Sequence, residues 1–202
     1  GLMGCGSGTA ATATSAASGE AAQAAGSDAS GSAQAGTSDL NVMLETPVES
    51  LDPQQATDGT SFEVIADYTD GLMQMDADGK SVPAIAESYD VSTDGLTYTF
   101  HLRKDAKWSN GDPVTAADFV FGWQRAVDPS VASEYAYMLS DIGQVKNAAE
   151  IIAGKKDKAE LGVKAVDDTT LEVDLVAPVS YFASLMYFPT FYPVNQKFFE
   201  TC

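Results

Sequence analysis

Apolar and polar positions alternate most regularly between residues 87 and 103. Glu87 to Ser92 alternates toward Thr93-Asp94-Gly95, and beyond the turn Leu96, Tyr98, Phe100 and Leu102 share one face. Thr97, Thr99, His101 and Arg103 take the other. Alternation on both sides of Asp-Gly predicts a β-hairpin. A second hairpin is predicted where Gly162–Val166 meets Thr170–Val176 around Asp167-Asp168. The rhythm becomes helical at Phe62, Ile65, Ala66, Thr69 and Leu72, predicting a helix that ends near Gly71. Phe119, Trp123, Ala126 and Val127 form another apolar stripe, opened by a capping box at Thr115 and Asp118 and stopped by Asp128-Pro129. Weaker patterns predict a strand over Asn41–Glu45 and helices over 133–140, 144–153 and 179–187. Turns are expected at Ser50-Leu51-Asp52-Pro53, at Asp76 to Gly79 and at Asn110-Gly111, and Pro189 and Pro193 bracket an aromatic stretch before Asn195. Hairpins interspersed with helices predict an α+β or mixed α/β domain without a regular parallel βαβ repeat.

Before residue 40 the pattern vanishes. From Gly6 to Ser38, 29 of 33 residues are Gly, Ala, Ser or Thr, too little apolar surface to offset ordering entropy. The stretch is expected to be a disordered tether, reaching roughly 30 Å as a flexible coil. Ahead of it, Leu2-Met3-Gly4-Cys5 has the form of a bacterial lipobox, which makes Cys5 the candidate for lipidation and residues 1–4 the remnant of a signal peptide. A cloning scar or random low-complexity leader is the alternative reading. The expected organisation is therefore residues 1–4 as leader remnant, 5–39 as lipidated cysteine and linker, and 40–202 as the folded part.

Charge and chemistry narrow the function. Setting aside Glu20, Asp28 and Asp39, the folded part carries 26 acidic residues against 11 Lys and Arg, a net −15. A field of that sign argues against nucleic acid as a partner. No apolar run approaches the 18 or so residues of a membrane span, so attachment to a membrane would be through Cys5. Cys5 and Cys202 are the only cysteines, which leaves no Cys-x-x-Cys for zinc or redox chemistry. His101, the single histidine, falls on the polar face of a predicted strand. No catalytic triad, phosphate loop or metal-ligand spacing is visible, and no catalytic residue, metal or cofactor is expected. Asp76/Asp78 and Asp167/Asp168 sit in turns, where aspartate is favoured for backbone bonding alone. The aromatic residues are more suggestive. Trp123 reads as core and Tyr137 leans toward core, while Tyr135, in a polar context after a helix stop, suits the lining of a ligand cleft.

At these residues a resemblance emerges. Pro83-Ala-Ile-Ala-Glu-Ser-Tyr-Asp-Val-Ser and the run from Asp94-Gly-Leu-Thr-Tyr-Thr-Phe-His-Leu-Arg through Trp108-Ser-Asn-Gly-Asp-Pro to Trp123-Gln-Arg-Ala closely resemble the signature of extracellular solute-binding proteins of the oligopeptide and dipeptide class, which serve ABC importers. Ser50-Leu-Asp-Pro53, Leu161-Gly-Val-Lys-Ala-Val-Asp-Asp168 and Phe191-Tyr-Pro-Val-Asn195 extend the match over most of residues 40–202. The resemblance implies part of lobe I of a two-lobed, type II periplasmic-binding-protein-like fold that closes on a peptide held like an added β-strand. It places Thr57, Asp58 and Gly59 beside the ligand and matches Tyr135 to a tyrosine that faces the peptide. Glu134 stands where the family commonly has proline, and Thr57-Asp58-Gly59 is not its usual set. Members are far longer than this chain, which reads as an N-terminal portion lacking the second lobe and the acidic residue there that commonly meets a peptide's terminal amine.

The expectation is a non-enzymatic, monomeric lipoprotein on the outer face of a bacterial membrane, capturing oligopeptides for ABC permease subunits. A receptor for another solute, such as a nickel chelate or oligosaccharide, is the alternative. An acidic cell-surface hydrolase and a structural cell-wall module are the readings from other classes.

Overall fold

The computed structural model describes residues 42–202. The expected signal remnant, lipidated Cys5, tether and Asn41 lie outside them. Residues 42–45 form no strand: Val42 and Met43 are exposed and no neighbouring strand pairs with them. The chain then turns at Asp52 and enters α1 (Gly59–Tyr68), which stops at Thr69, short of the predicted end. Gly71 lies beyond the helix because the backbone runs so close to Met186 that a Cβ would sit 2.1 Å from its carbonyl oxygen. Leu72, expected on the helix, is fully buried ahead of β1 (Met73–Met75), which pairs with β2 (Ser81–Pro83) across the Asp76–Gly79 turn. There Asp76 accepts the amides of Asp78 and Lys80, the turn role expected of it.

Both predicted hairpins form and merge into one antiparallel sheet. β3 (Ala86–Val91) pairs with β4 (Thr97–Leu102), and β5 (Val163–Asp167) with β6 (Thr170–Asp174), in the order β3-β4-β6-β5. Alternation holds on β4 and β6, where Tyr98, Phe100 and Leu102 are buried with Leu171 and Val173 while His101 faces out and meets Asp90 at 2.8 Å, but edge strand β3 is exposed from Glu87 to Val91. β6 ends at Asp174 rather than Val176. The buried face is covered by α2 (Ala116–Val127), whose capping box forms, Asp118 accepting the Thr115 amide at 2.8 Å and the Trp108 indole at 3.2 Å. Phe182 is the hub of the aromatic core, 4.9 Å from Tyr98, 6.4 Å from Trp123 and 6.5 Å from Phe100.

The three weaker helices are shorter than predicted. Residues 134–136 are turns, and a short π-helix over Met138–Ile142 is all that forms of the expected helix beyond Tyr137. Gln144 and Asn147 have left-handed backbones (φ 55° and 67°) that break the next stretch, leaving α3 (Ala148–Ile152). α4 spans Phe182–Leu185 only. A 3₁₀ turn at Pro189–Phe191 and α5 (Gln196–Phe199) close the fold. Among the described residues no helix is long and apolar enough to cross a membrane.

One polar network fixes where the leading segment lies. Arg125, on α2 and buried, binds both carboxylate oxygens of Asp52 (3.0 and 2.6 Å) and the side-chain oxygen of Gln54 (2.7 Å). The Gln54 amide donates in turn to the carbonyls of Thr190 and Tyr192. Arg125→Ala should cost about 3–5 kcal/mol in urea denaturation, since it leaves Asp52 and Gln54 without their cation. Adding Asp52→Asn should recover part of that loss. Equal stability of Arg125→Ala and the parent chain would show that the network is not a clamp.

Candidate ligand cleft

Two distant parts of the chain meet beside Thr57. Ser61, buried in the first turn of α1, accepts the amides of Glu49 and Ser50 (3.0 and 3.2 Å), folding the leading segment back along the helix. On the far side, α2 ends at Asp128, whose carboxylate takes a hydrogen bond from Lys158 at 2.6 Å. Lys158 and Ser130 hold its pKa down to about 2. Ala132 then adopts φ 56°, the left-handed region that non-glycine residues seldom occupy. Gln55 bridges the two parts by donating to the Val131 carbonyl at 3.3 Å. Between them lies a hollow of about 420 Å³ lined by Glu49, Gln55, Thr57, Ala132 and Glu134.

The predicted residues take different places around it. Thr57 is exposed in the lining. Asp58 is the N-cap of α1, its Oδ1 accepting the Ser61 amide at 2.8 Å, while Oδ2 is buried without a partner. The nearby hydroxyl of Ser61, and then its amide, hold this carboxyl below the usual range. Gly59 begins α1 with open space where a Cβ would project, so packing does not require a glycine there. The ring of Tyr135 meets Phe62 of α1 edge-on at 5.4 Å and lies 5.2 Å from Phe188 and 5.9 Å from Tyr137. Tyr135 is half-buried and Tyr137 is exposed, correcting its expected core position. The chain leaves Ala132 in turns that keep both rings outside the main core.

Sequence reasoning missed the partners of Tyr135. Phe62 was visible only as one member of a helical stripe, and Phe188 only as one aromatic among many. Behind the rings, Phe62, Phe188, Glu63, Asp70 and Tyr187 border a second hollow of about 470 Å³. Burial pushes the phenol of the adjoining Tyr192 up to about 12, with Asp70 adding to the effect. No lysine or arginine lines either hollow, so this face favours cationic over anionic groups. The arrangement offers aromatic faces, hydroxyls and carboxylates suited to holding a ligand. Among the described residues no group of three or more His, Cys, Asp or Glu side chains could hold a metal ion.

The model for "Bacterial extracellular solute-binding proteins, family 5 Middle" matches residues 80–201. The chain belongs to this family. Its fold is the corresponding part of the two-lobed binding proteins. The structure of Haemophilus influenzae OppA complexed with RPPGFSPFR is similar at 49% identity and TM-score 0.73, over 75% of this chain and 29% of that one. The periplasmic oligopeptide-binding protein OppA of Escherichia coli K12 is 48% identical over 153 residues, 76% of this chain and 28% of its own length. The "Probable deoxycholate-binding periplasmic protein YgiS" of the same organism is also 48% identical, over 145 residues, 72% of this chain and 27% of its own. The chain thus spans under a third of the length of these family 5 relatives.

Two glycines test how open the cleft is. Gly59→Ala should change stability by no more than about 0.5 kcal/mol, because nothing occupies the space. Gly122→Ala, whose Cβ would come 2.7 Å from the Tyr192 carbonyl oxygen, should cost several times more by chemical denaturation. The reverse order would mean that α1's N-terminus is packed rather than open.

Proposed function

We propose that the chain is the N-terminal part of a receptor that captures oligopeptides for an ABC importer. The observation that supports this reading is that Thr57 and Glu134 line one open hollow, while Tyr135, next to Glu134, packs edge-on against Phe62 of α1. An extended peptide could lie there with its main chain on the leading segment and its side chains in the hollows. The likeness to oligopeptide-binding relatives supports the reading. The likeness to the deoxycholate-binding relative at equal identity supports a second, non-peptide ligand.

The test uses a chain extended to the length of its relatives, titrated calorimetrically with a tripeptide, a pentapeptide and deoxycholate. Peptide should bind, and Tyr135→Ala should weaken it on the order of thirtyfold, as loss of an anchor worth about 2 kcal/mol, with little change in thermal stability. Binding of deoxycholate alone, or unchanged peptide affinity with a collapsed melting temperature, would overturn the assignment.

The receptor is proposed to act as a monomer at the outer face of the membrane, held by lipid on Cys5 and delivering ligand to permease subunits. Intact-mass analysis of protein from the native host should show thioether-linked lipid on Cys5. A free thiol there, with the protein released to the medium, would refute the anchor.

A further inference from the structure

A groove of about 380 Å³ lies between the β1–β2 hairpin, the edge strand β3 and the turn into α4. It shares no lining residue with either hollow of the ligand cleft. No charged residue lines it, although the chain carries a formal net charge of −18. Its polar lining consists of hydroxyls: Ser81, Ser88, Ser180, Ser184 and the phenol of Tyr89. The Oγ of Ser81 is buried without a hydrogen-bond partner, while Ser88, Ser180 and Ser184 stand exposed. The Tyr89 ring is 39% exposed, yet its position is fixed by Tyr98 at 6.1 Å and Phe100 at 5.6 Å, which extend the aromatic core to this edge.

We infer that this groove binds a neutral sugar ring of a glycan, its C–H face on Tyr89 and its hydroxyls on the serines. Each serine hydroxyl both donates and accepts, as each sugar hydroxyl does, so the two sets satisfy one another. An anion would find no cation here and would meet the repulsion of the whole molecule. A cation would find no carboxylate, and an apolar lipid would bury the hydroxyls unpaired. A peptide strand added along β3 is opposed by the exposed charges of Glu87 and Asp90, which guard that edge. The volume falls at the small end of ligand sites, which suits one or two sugar rings. The site lies apart from the proposed peptide cleft and does not depend on that reading.

The test is a ¹⁵N NMR titration of the full 202-residue chain with N,N′-diacetylchitobiose and with maltose, and with tetra-alanine as the peptide control. At least one disaccharide should shift the amides of Ser81, Ser88, Ser180 and Ser184, with a dissociation constant on the order of a millimolar. Ser184→Leu fills the groove from an exposed position and should abolish those shifts without altering the melting temperature. Tyr89→Ala should weaken binding at least tenfold. The inference fails if neither sugar moves these amides at about 50 mM, if the shifts survive Ser184→Leu, or if tetra-alanine moves them more than either sugar.

Discussion

The guanidinium of Arg125 organises this structure more than any apolar contact does. It lies against the ring of Phe199 at 4.3 Å and spends its donors on Asp52 and Gln54. A buried cation is costly unless its hydrogen bonds are complete. Here the leading segment supplies the hydrogen bonds to an arginine of α2, and α5 supplies the ring that covers it. The network extends through Gln54 to the carbonyls of Thr190 and Tyr192, while Trp123 on α2 takes the intervening carbonyl of Phe191 at 2.8 Å. Three successive carbonyls of an irregular turn are thus satisfied by side chains, where a helix or sheet would have used amides.

The placement of the cleft follows from that network. α1 rests on a small satellite core of Ala56, Ile65 and Tyr192, separate from the large core between the sheet and α2. Asp52 and Gln54 fix the segment that leads into α1, and α1 in turn presents Phe62 to Tyr135. Local stability follows local burial and bonding, so the cleft is the more easily opened part and the sheet the less. A wall mounted on so thin a support can shift without disturbing the sheet.

What was legible in the sequence was what local rules determine. Asp94-Gly95 between alternating runs, the Thr115–Asp118 box and the stop at Asp128-Pro129 each act within a few residues, and the elements they predict formed. The stretch from Ala132 to Asn147 defeated periodicity because three non-glycine residues there are left-handed, a conformation that of the three only the asparagine is of a type to favour. Asn41 to Glu45 read as a strand, yet strands need neighbours, and residues 42–45 have none among the described residues. Arginine is seldom buried, so nothing local marked Arg125 as the clamp. Tyr135 was singled out by its polar context and by resemblance, whereas its companions Phe62 and Phe188 join it only in three dimensions.

The bond from Gln54 to Tyr192 spans 138 residues, which bears on the order in which the molecule comes together. Loop closure of that length costs entropy that no nearby contact offsets. The hairpins and α2 can form from neighbours alone, and only they bring the two ends within reach. Chains emerge amino-terminus first, so Asp52 and Gln54 are made before Arg125, and Gln54 completes its bonds only once the turn at Pro189 has been made.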